Sequence, residues 1–153
     1  MEKTEAKIST LKINSTEFKD HGAIPSKYTY DGQNINPSLG IENLPKEAVS
    51  IVIIMDDPDS KIKTWVHWIM WNIKPTITIK EGINQGIQGV NDFKQNRYDG
   101  PCPPSGSHRY FFKIYALDSF LDLAGNSSKE DLLEAMQGHI IAAGELVGVY
   151  KKE

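Results

Sequence analysis

At 153 residues the chain has the usual length of one domain and is long enough to bury a core without metal or disulfide staples. Charged residues make up 24% and hydrophobic residues 39%, with a net charge of -3, the balance of an ordinary soluble globular protein; no basic excess argues for nucleic acid. The single cysteine makes no internal disulfide, the longest apolar run is far short of the roughly 20 residues that span a bilayer, and the start MEKTEAKISTLKI lacks the apolar stretch of a signal peptide, so the expectation is a cytoplasmic chain with no transmembrane segment.

Residues 1–10 are expected to fray and 11–153 to form one domain. Leu11, Ile13 and Ser15 alternate with Lys12 and Asn14, the pattern of a half-buried strand. Tyr28-Thr29-Tyr30 is rich in strand formers and runs into the turn signal Asp31-Gly32. Ser50 to Met55 is short, continuous and mostly β-branched, which predicts a strand covered on both faces. Val66 to Ile73 (VHWIMWNI) predicts a second central strand. A glycine-bearing stretch holding Gly82, Gly86, Gly89 and Gly100 follows, read as a long loop with a short strand or two. Arg109 to Leu117 predicts a third strand, with Tyr110, Phe112, Ile114 and Ala116 on one face. Ser127-Ser128-Lys129-Glu130 is a capping-box pattern with Ser127 as cap and Glu130 reaching back, Leu132, Leu133 and Met136 form a helical stripe, and Gly138 is the stop. Ile140 to Tyr150 closes the chain as a strand whose Gly144 and Gly148 mark a bulge or a close backbone approach. Several strands with one or two helices predict a β-dominated sandwich.

Three clusters carry candidate chemistry: Asp56-Asp57-Pro58-Asp59 at the end of the first buried strand, Trp65-Val66-His67-Trp68 at the start of the second, and YDGPCPPSGSHRYFF at 98–112. Each lies where a buried strand meets a loop, the way a sheet delivers polar side chains to one rim. His108 and Tyr110 are two residues apart at a strand start and face one side about 7 Å apart, whereas Arg109 faces the other. Each histidine also reads as a satisfied core or edge residue, and Asp57 before Pro58 as a turn opener. Cys102 between Pro101 and Pro103 reads as a nucleophile or as a small buried hydrophobe; a catalytic thiol needs a base in reach, and none is evident in sequence. The spacing of His67, His108 and the aspartates matches no compact metal signature.

DDPDS, WVHWIMWNI and YDGPCPPSGSHRYFFKIYALD, in that order, resemble the phosphatidylethanolamine-binding protein family, in its bacterial and archaeal Raf-kinase-inhibitor-like branch. IPSKYTYDGQNINPSL, GVNDF at 89–93 and LLEAMQGHIIAAGELVGVY extend the likeness over roughly residues 11 to 150. The resemblance implies a mainly β fold, a sandwich of antiparallel sheets with a small helical part, and a shallow rim pocket for phosphate, phosphoryl headgroups and similar anions. Carried over by position, the pocket residues are Asp57, Asp59, Trp65, His67, Gly100, Cys102, Pro103, Pro104, His108 and Tyr110, with Arg109 structural and Cys102 a wall residue. Where the family motif usually continues Asp-Pro-Asp-Ala-Pro, this chain has Ser60-Lys61 after Asp59, so the loop shape on that side is expected to differ. Expected donors to an anion are imidazole N–H groups, the Tyr110 hydroxyl and backbone amides of the proline-rich loop. The implied role is a non-catalytic module for a small anionic or phosphoryl ligand, with inhibition of a serine protease or kinase as the alternative. No cofactor or metal is implied; a protease or kinase and a second copy of the chain are the macromolecular partners in view.

Overall fold

The computed structural model describes residues 7–152. In chain order the strands are β1 (Ser9–Thr10), β2 (Lys12–Asn14), β3 (Gly22–Ala23), β4 (Leu39–Glu42), β5 (Ser50–Asp57), β6 (Trp65–Ile73), β7 (Thr78–Ile79), β8 (Ile87–Gln88), β9 (Ser107–Leu117) and β10 (Ile140–Lys151), with helix α1 (Lys129–Met136) before the last. A seven-stranded sheet runs β1-β10-β9-β5-β6-β8, with β3 also on β10; β2-β4-β7 form a three-stranded sheet. Pairing is antiparallel except for β1 and β3, which lie parallel to β10.

The two sheets form the expected sandwich, and α1 adds a third layer. Ile51, Ile53 and Met55 of β5 join Leu39, Ile41 and Ile79 of the small sheet in one core. Val52 and Ile54, on the other face of β5, pack in a second core with Leu132 and Met136 of α1. A strand packed on both sides has no polar face to present, which explains the unbroken apolar run of Ser50 to Met55. Each such side chain contributes about 1.5–3 kcal/mol by burial.

The three strong strands and the closing strand form as expected, and β7 and β8 are short strands in the long connection. Tyr28-Thr29-Tyr30 does not form a strand. Ser26–Tyr28 is a 3-10 turn entered from Pro25, and the Thr29 hydroxyl donates to the Ser26 carbonyl, so local side-chain bonding overrides strand propensity. The capping box is one residue later than expected: Ser128 accepts from the Asp131 amide, and Asp131 accepts from the Ser128 amide. Both serines satisfy the pattern, but the Ser127 hydroxyl is already bonded to the Ala124 carbonyl. Of the ten residues expected to fray, 1–6 lie outside the described residues, while Ser9 and Thr10 pair with Ala142 and Ala143.

Antiparallel pairing sets the end of β5 beside the starts of β6 and β9. Asp57 is opposite Trp65, and Asp56 is opposite Phe111. All three chemistry-bearing clusters therefore reach one rim of the large sheet.

Gly144 is a close-approach glycine: a Cβ there would lie 2.2 Å from the Leu11 carbonyl oxygen. Since a backbone atom cannot give way as a flexible side chain does, Gly144→Ala is expected to destabilise the fold by about 2–3 kcal/mol in urea unfolding. An unchanged midpoint would show that β1 and β2 separate from β10 at little cost.

Candidate functional site

A cavity of about 220 Å³ opens at this rim. Asp57 reaches it from β5, Trp65 and His67 from β6, Cys102, Pro103 and Pro104 from the loop before β9, and His108 and Tyr110 from β9. Two expected residues stand outside the wall. Asp59 turns away to Arg109, accepting from its Nε at 2.9 Å, its Nη2 at 2.8 Å and its backbone amide at 2.9 Å. Gly100 packs against the chain behind the cavity, where a Cβ would lie 2.1 Å from the Tyr28 carbonyl oxygen, and its amide donates to Asn34 Oδ1 at 2.7 Å. Both residues hold the loops and do not line the cavity.

His67 is 2% exposed and its Nδ1 lies 2.7 Å from the Asp99 carbonyl oxygen. A carbonyl only accepts, so Nδ1 carries the hydrogen and Nε2 is bare in the neutral ring. Burial in this apolar wall pushes the imidazole pKa down, outweighing the Asp99 carbonyl, the charge of Asp57 and the Gly100 carbonyl. The ring sits edge-on to Phe93 and Tyr110, with centroids at 5.3 and 5.2 Å.

Asp57 Oδ2 accepts from His108 Nδ1 at 2.6 Å, and its Oδ1 accepts from the Asp59 amide at 2.7 Å, closing a turn across Pro58. The carboxylate thus fixes the second imidazole in the same tautomer. His108 and Tyr110 share one face as expected, their rings stacked 6.5 Å apart. At both histidines Nδ1 is engaged inside the protein. What the neutral rings offer the cavity is a lone pair.

Tyr110 is fully buried and its hydroxyl makes no hydrogen bond of normal geometry. Burial and the carboxylate of Asp57 push its ionisation far up, so it stays an O–H donor. The nearby Cys102 backbone opposes that shift only in part and makes no hydrogen bond to the hydroxyl.

Ser60, Lys61, Ile62, Phe93 and Ser105 also line the cavity. Ser60 and Lys61 occupy the positions where the motif departs from Ala-Pro, the one signal that marked that loop in advance. Phe93 had only GVNDF to mark it. Behind the wall, Asp99 is the residue sequence reasoning missed: its carbonyl orients His67, and its buried carboxylate is held by Tyr30, Asn34, Asn91 and Arg97. Among the described residues, no three His, Cys, Asp or Glu side chains are placed to hold a metal ion.

The family model described as phosphatidylethanolamine-binding protein matches residues 14–151. A "UPF0098 protein" of Methanothermobacter thermautotrophicus is 46% identical over 150 residues, covering 93% of this chain and 99% of the relative. Another, from Pyrococcus horikoshii, is 49% identical over 160 residues, covering 97% and 80%. Among solved structures, a phosphatidylethanolamine-binding protein homologue from Chlamydia trachomatis superposes with a TM-score of 0.89 at 40% identity, covering 95% of this chain and 99% of that one. E. coli YbcL, described as a member of the mammalian PEBP family, gives a TM-score of 0.86 at 26% identity, covering 94% and 99%.

The bidentate Arg109 contact, opposed by partial burial, pulls the Asp59 carboxyl down from its ordinary 3.8 to about 2. A carboxyl depressed in the folded state stabilises it fully above the unfolded value and stops doing so as pH falls through the folded one, here between 3.8 and about 2. Arg109→Ala is expected to return the Asp59 midpoint toward 3.8 in a carboxyl ¹³C NMR titration. A midpoint that stays low would mean the backbone amide alone holds it.

Proposed function

The chain belongs to the phosphatidylethanolamine-binding protein family, and on that premise we propose that its rim cavity is a non-catalytic binding site for a small anionic or phosphoryl ligand. The observation that carries this reading is the Tyr110 hydroxyl, buried in the wall with a hydrogen and no acceptor. Leaving such a group unpaired costs about 1–3 kcal/mol, and an oxyanion oxygen in the cavity relieves that cost. Prolines 101, 103 and 104 stiffen the adjoining loop, which lowers the ordering cost of binding.

Catalysis is the weaker reading. An activated nucleophile needs a base bonded to it, and among the described residues no hydrogen bond joins the Cys102 thiol to His67 or His108, whose Nδ1 atoms are engaged elsewhere. Asp57 opposes a dianion, so binding is weak and strengthens as phosphate gains a proton between about pH 8 and pH 6.

One observation favours a protein partner as the second reading. Ile62 is 82% exposed on the cavity rim between Lys61 and Lys63, an apolar side chain without a use in the free chain. A protease or kinase inhibitor would use it. Stoichiometric inhibition of a chymotrypsin-like or subtilisin-like protease that is lost in Ile62→Asp and retained in His67→Ala would separate this role from the cavity; no inhibition of either protease counts against it.

The primary reading is tested by thermal unfolding in a concentration series of phosphate, phosphoethanolamine and acetate, since a ligand of the native state raises Tm by mass action. Tyr110→Phe is expected to abolish that rise while leaving the free protein as stable or up to about 1 kcal/mol more so, because an unpaired buried hydroxyl is gone. No rise in the parent protein at tens of millimolar, or an equal rise in the variant, would overturn the proposal.

A further inference from the structure

We propose that the cavity selects a hydrogen-bearing oxyanion, a phosphate or phosphonate monoester carrying a P–OH, over an anion of the same shape and charge that has no proton to donate. This rests on the oxyanion reading above and adds the chemistry that the anion must bring.

The argument is a count of hydrogens. The Asp99 carbonyl, 2.7 Å from His67 Nδ1, takes the one hydrogen of the neutral ring, and His67 Nε2 is left as an acceptor. Asp57 Oδ2, 2.6 Å from His108 Nδ1, does the same for the second ring, and the carboxylate is itself an acceptor. Against these stands one fully buried donor, the Tyr110 hydroxyl, while the less buried Trp65, Ser60, Ser105 and Lys61 also line the cavity and carry donors. An oxyanion with no hydrogen can satisfy Tyr110 and the other donors of the wall, but the oxygen it sets beside His67 Nε2 meets a lone pair. A P–OH group satisfies both sides, with one oxygen accepting from Tyr110 and the hydroxyl donating to His67.

Protonating the rings would supply donors instead, but the two differ. His108 faces Asp57 and, when charged, makes a neutral pair with it and adds one donor. His67 is 2% exposed between Phe93 and Tyr110, and burial favours its uncharged form. In either state of His108, His67 remains an acceptor that a ligand hydrogen must meet. Lys61, at the rim, attracts any anion and does not discriminate between these two kinds.

Methylphosphonate and methanesulfonate separate the possibilities, because both are tetrahedral monoanions at mildly acidic pH and only the first has a hydroxyl. Calorimetric or NMR titration is expected to show methylphosphonate binding at least about tenfold more tightly, the cost of a buried acceptor left unpaired. Methyl phosphate and dimethyl phosphate extend the comparison to the two sources of phosphoryl groups: the monoester is expected to bind, and the diester, which represents a lipid phosphodiester, to lose about the same factor. Equal binding of methylphosphonate and methanesulfonate would overturn the selectivity and leave the oxyanion site standing. No binding of any of the four, or of inorganic phosphate, would overturn both.

His67→Gln carries an amide that turns to donate or accept, and is expected to bring the two probes within about twofold of each other. Discrimination that survives in a folded His67→Gln would overturn the role of His67. Imidazole ¹⁵N spectra of the unaltered protein test the same point without a variant. His67 is expected to keep a bare Nε2 that shifts on adding methylphosphonate, and conversion to imidazolium on binding would overturn the proposal.

Discussion

The hydrogen bond from His67 Nδ1 to the Asp99 carbonyl sets what the rim presents. It fixes the tautomer of a ring buried in a central strand, and through it the sign of the hydrogen bond available in the cavity. The bond is held from behind. Asp99 is completely buried, and its carboxylate accepts from Tyr30 Oη at 2.9 Å, Asn34 Nδ2 at 3.1 Å, Asn91 Nδ2 at 2.8 Å and Arg97 Nε at 3.1 Å. A buried carboxylate is tolerable only when its lone pairs are met in this way. The same aspartate amide donates to the His67 carbonyl at 3.2 Å, so the 91–99 loop is clipped to β6 on both sides of the imidazole.

The two aspartates before Pro58 are kept apart by strand alternation. Asp57 faces the cavity; Asp56, with an irregularity in the β5–β6 register at Met55 and Asp56, points to the face that carries α1. There its Oδ2 accepts from Lys129 at 2.8 Å and Lys113 at 3.2 Å, which ties the start of α1 to β5 and β9. Its Oδ1 is buried and unpaired, a desolvation cost offset by two ammonium groups on the other oxygen. Without that neutralisation, two adjacent uncompensated carboxylates would sit at one strand end beside the cavity.

Much of the site was legible because it depends on short-range pattern. Period-2 alternation put His108 and Tyr110 on one face and Arg109 on the other, and the apolar runs named the central strands whose ends converge. Asp59 and Gly100 were assigned to the wall by position in a motif, and position does not say where a side chain turns. Asp59 had Arg109 within reach, 50 residues away, and a bidentate guanidinium outcompetes an open cavity. The roles of Asp99 and Phe93 are illegible for a related reason: they arise only when the long connection folds back on β6, and the motifs that contain the two residues do not say what either one does. The tautomer of His67 is not legible in the sequence, because the backbone partner of its Nδ1 lies 32 residues away in the chain.

The proposed anion site has no strong fixed charge. Arg109, the one arginine near the rim, is neutralised by Asp59, so the two aspartates of the DPD stretch have different effects: Asp59 removes a cation, and Asp57 orders an imidazole. Among the described residues, Lys61 is the one lysine or arginine in the wall, on a loop at the mouth. Attraction at such a cavity comes from directional hydrogen bonds in a confined apolar setting, where each satisfied partner counts for more than in water. A chain of net charge -3 has no net positive field to draw an anion in, so the proposed recognition rests on local geometry. Under the binding role proposed above, such a site would bind loosely and would distinguish ligands by where their hydrogens are.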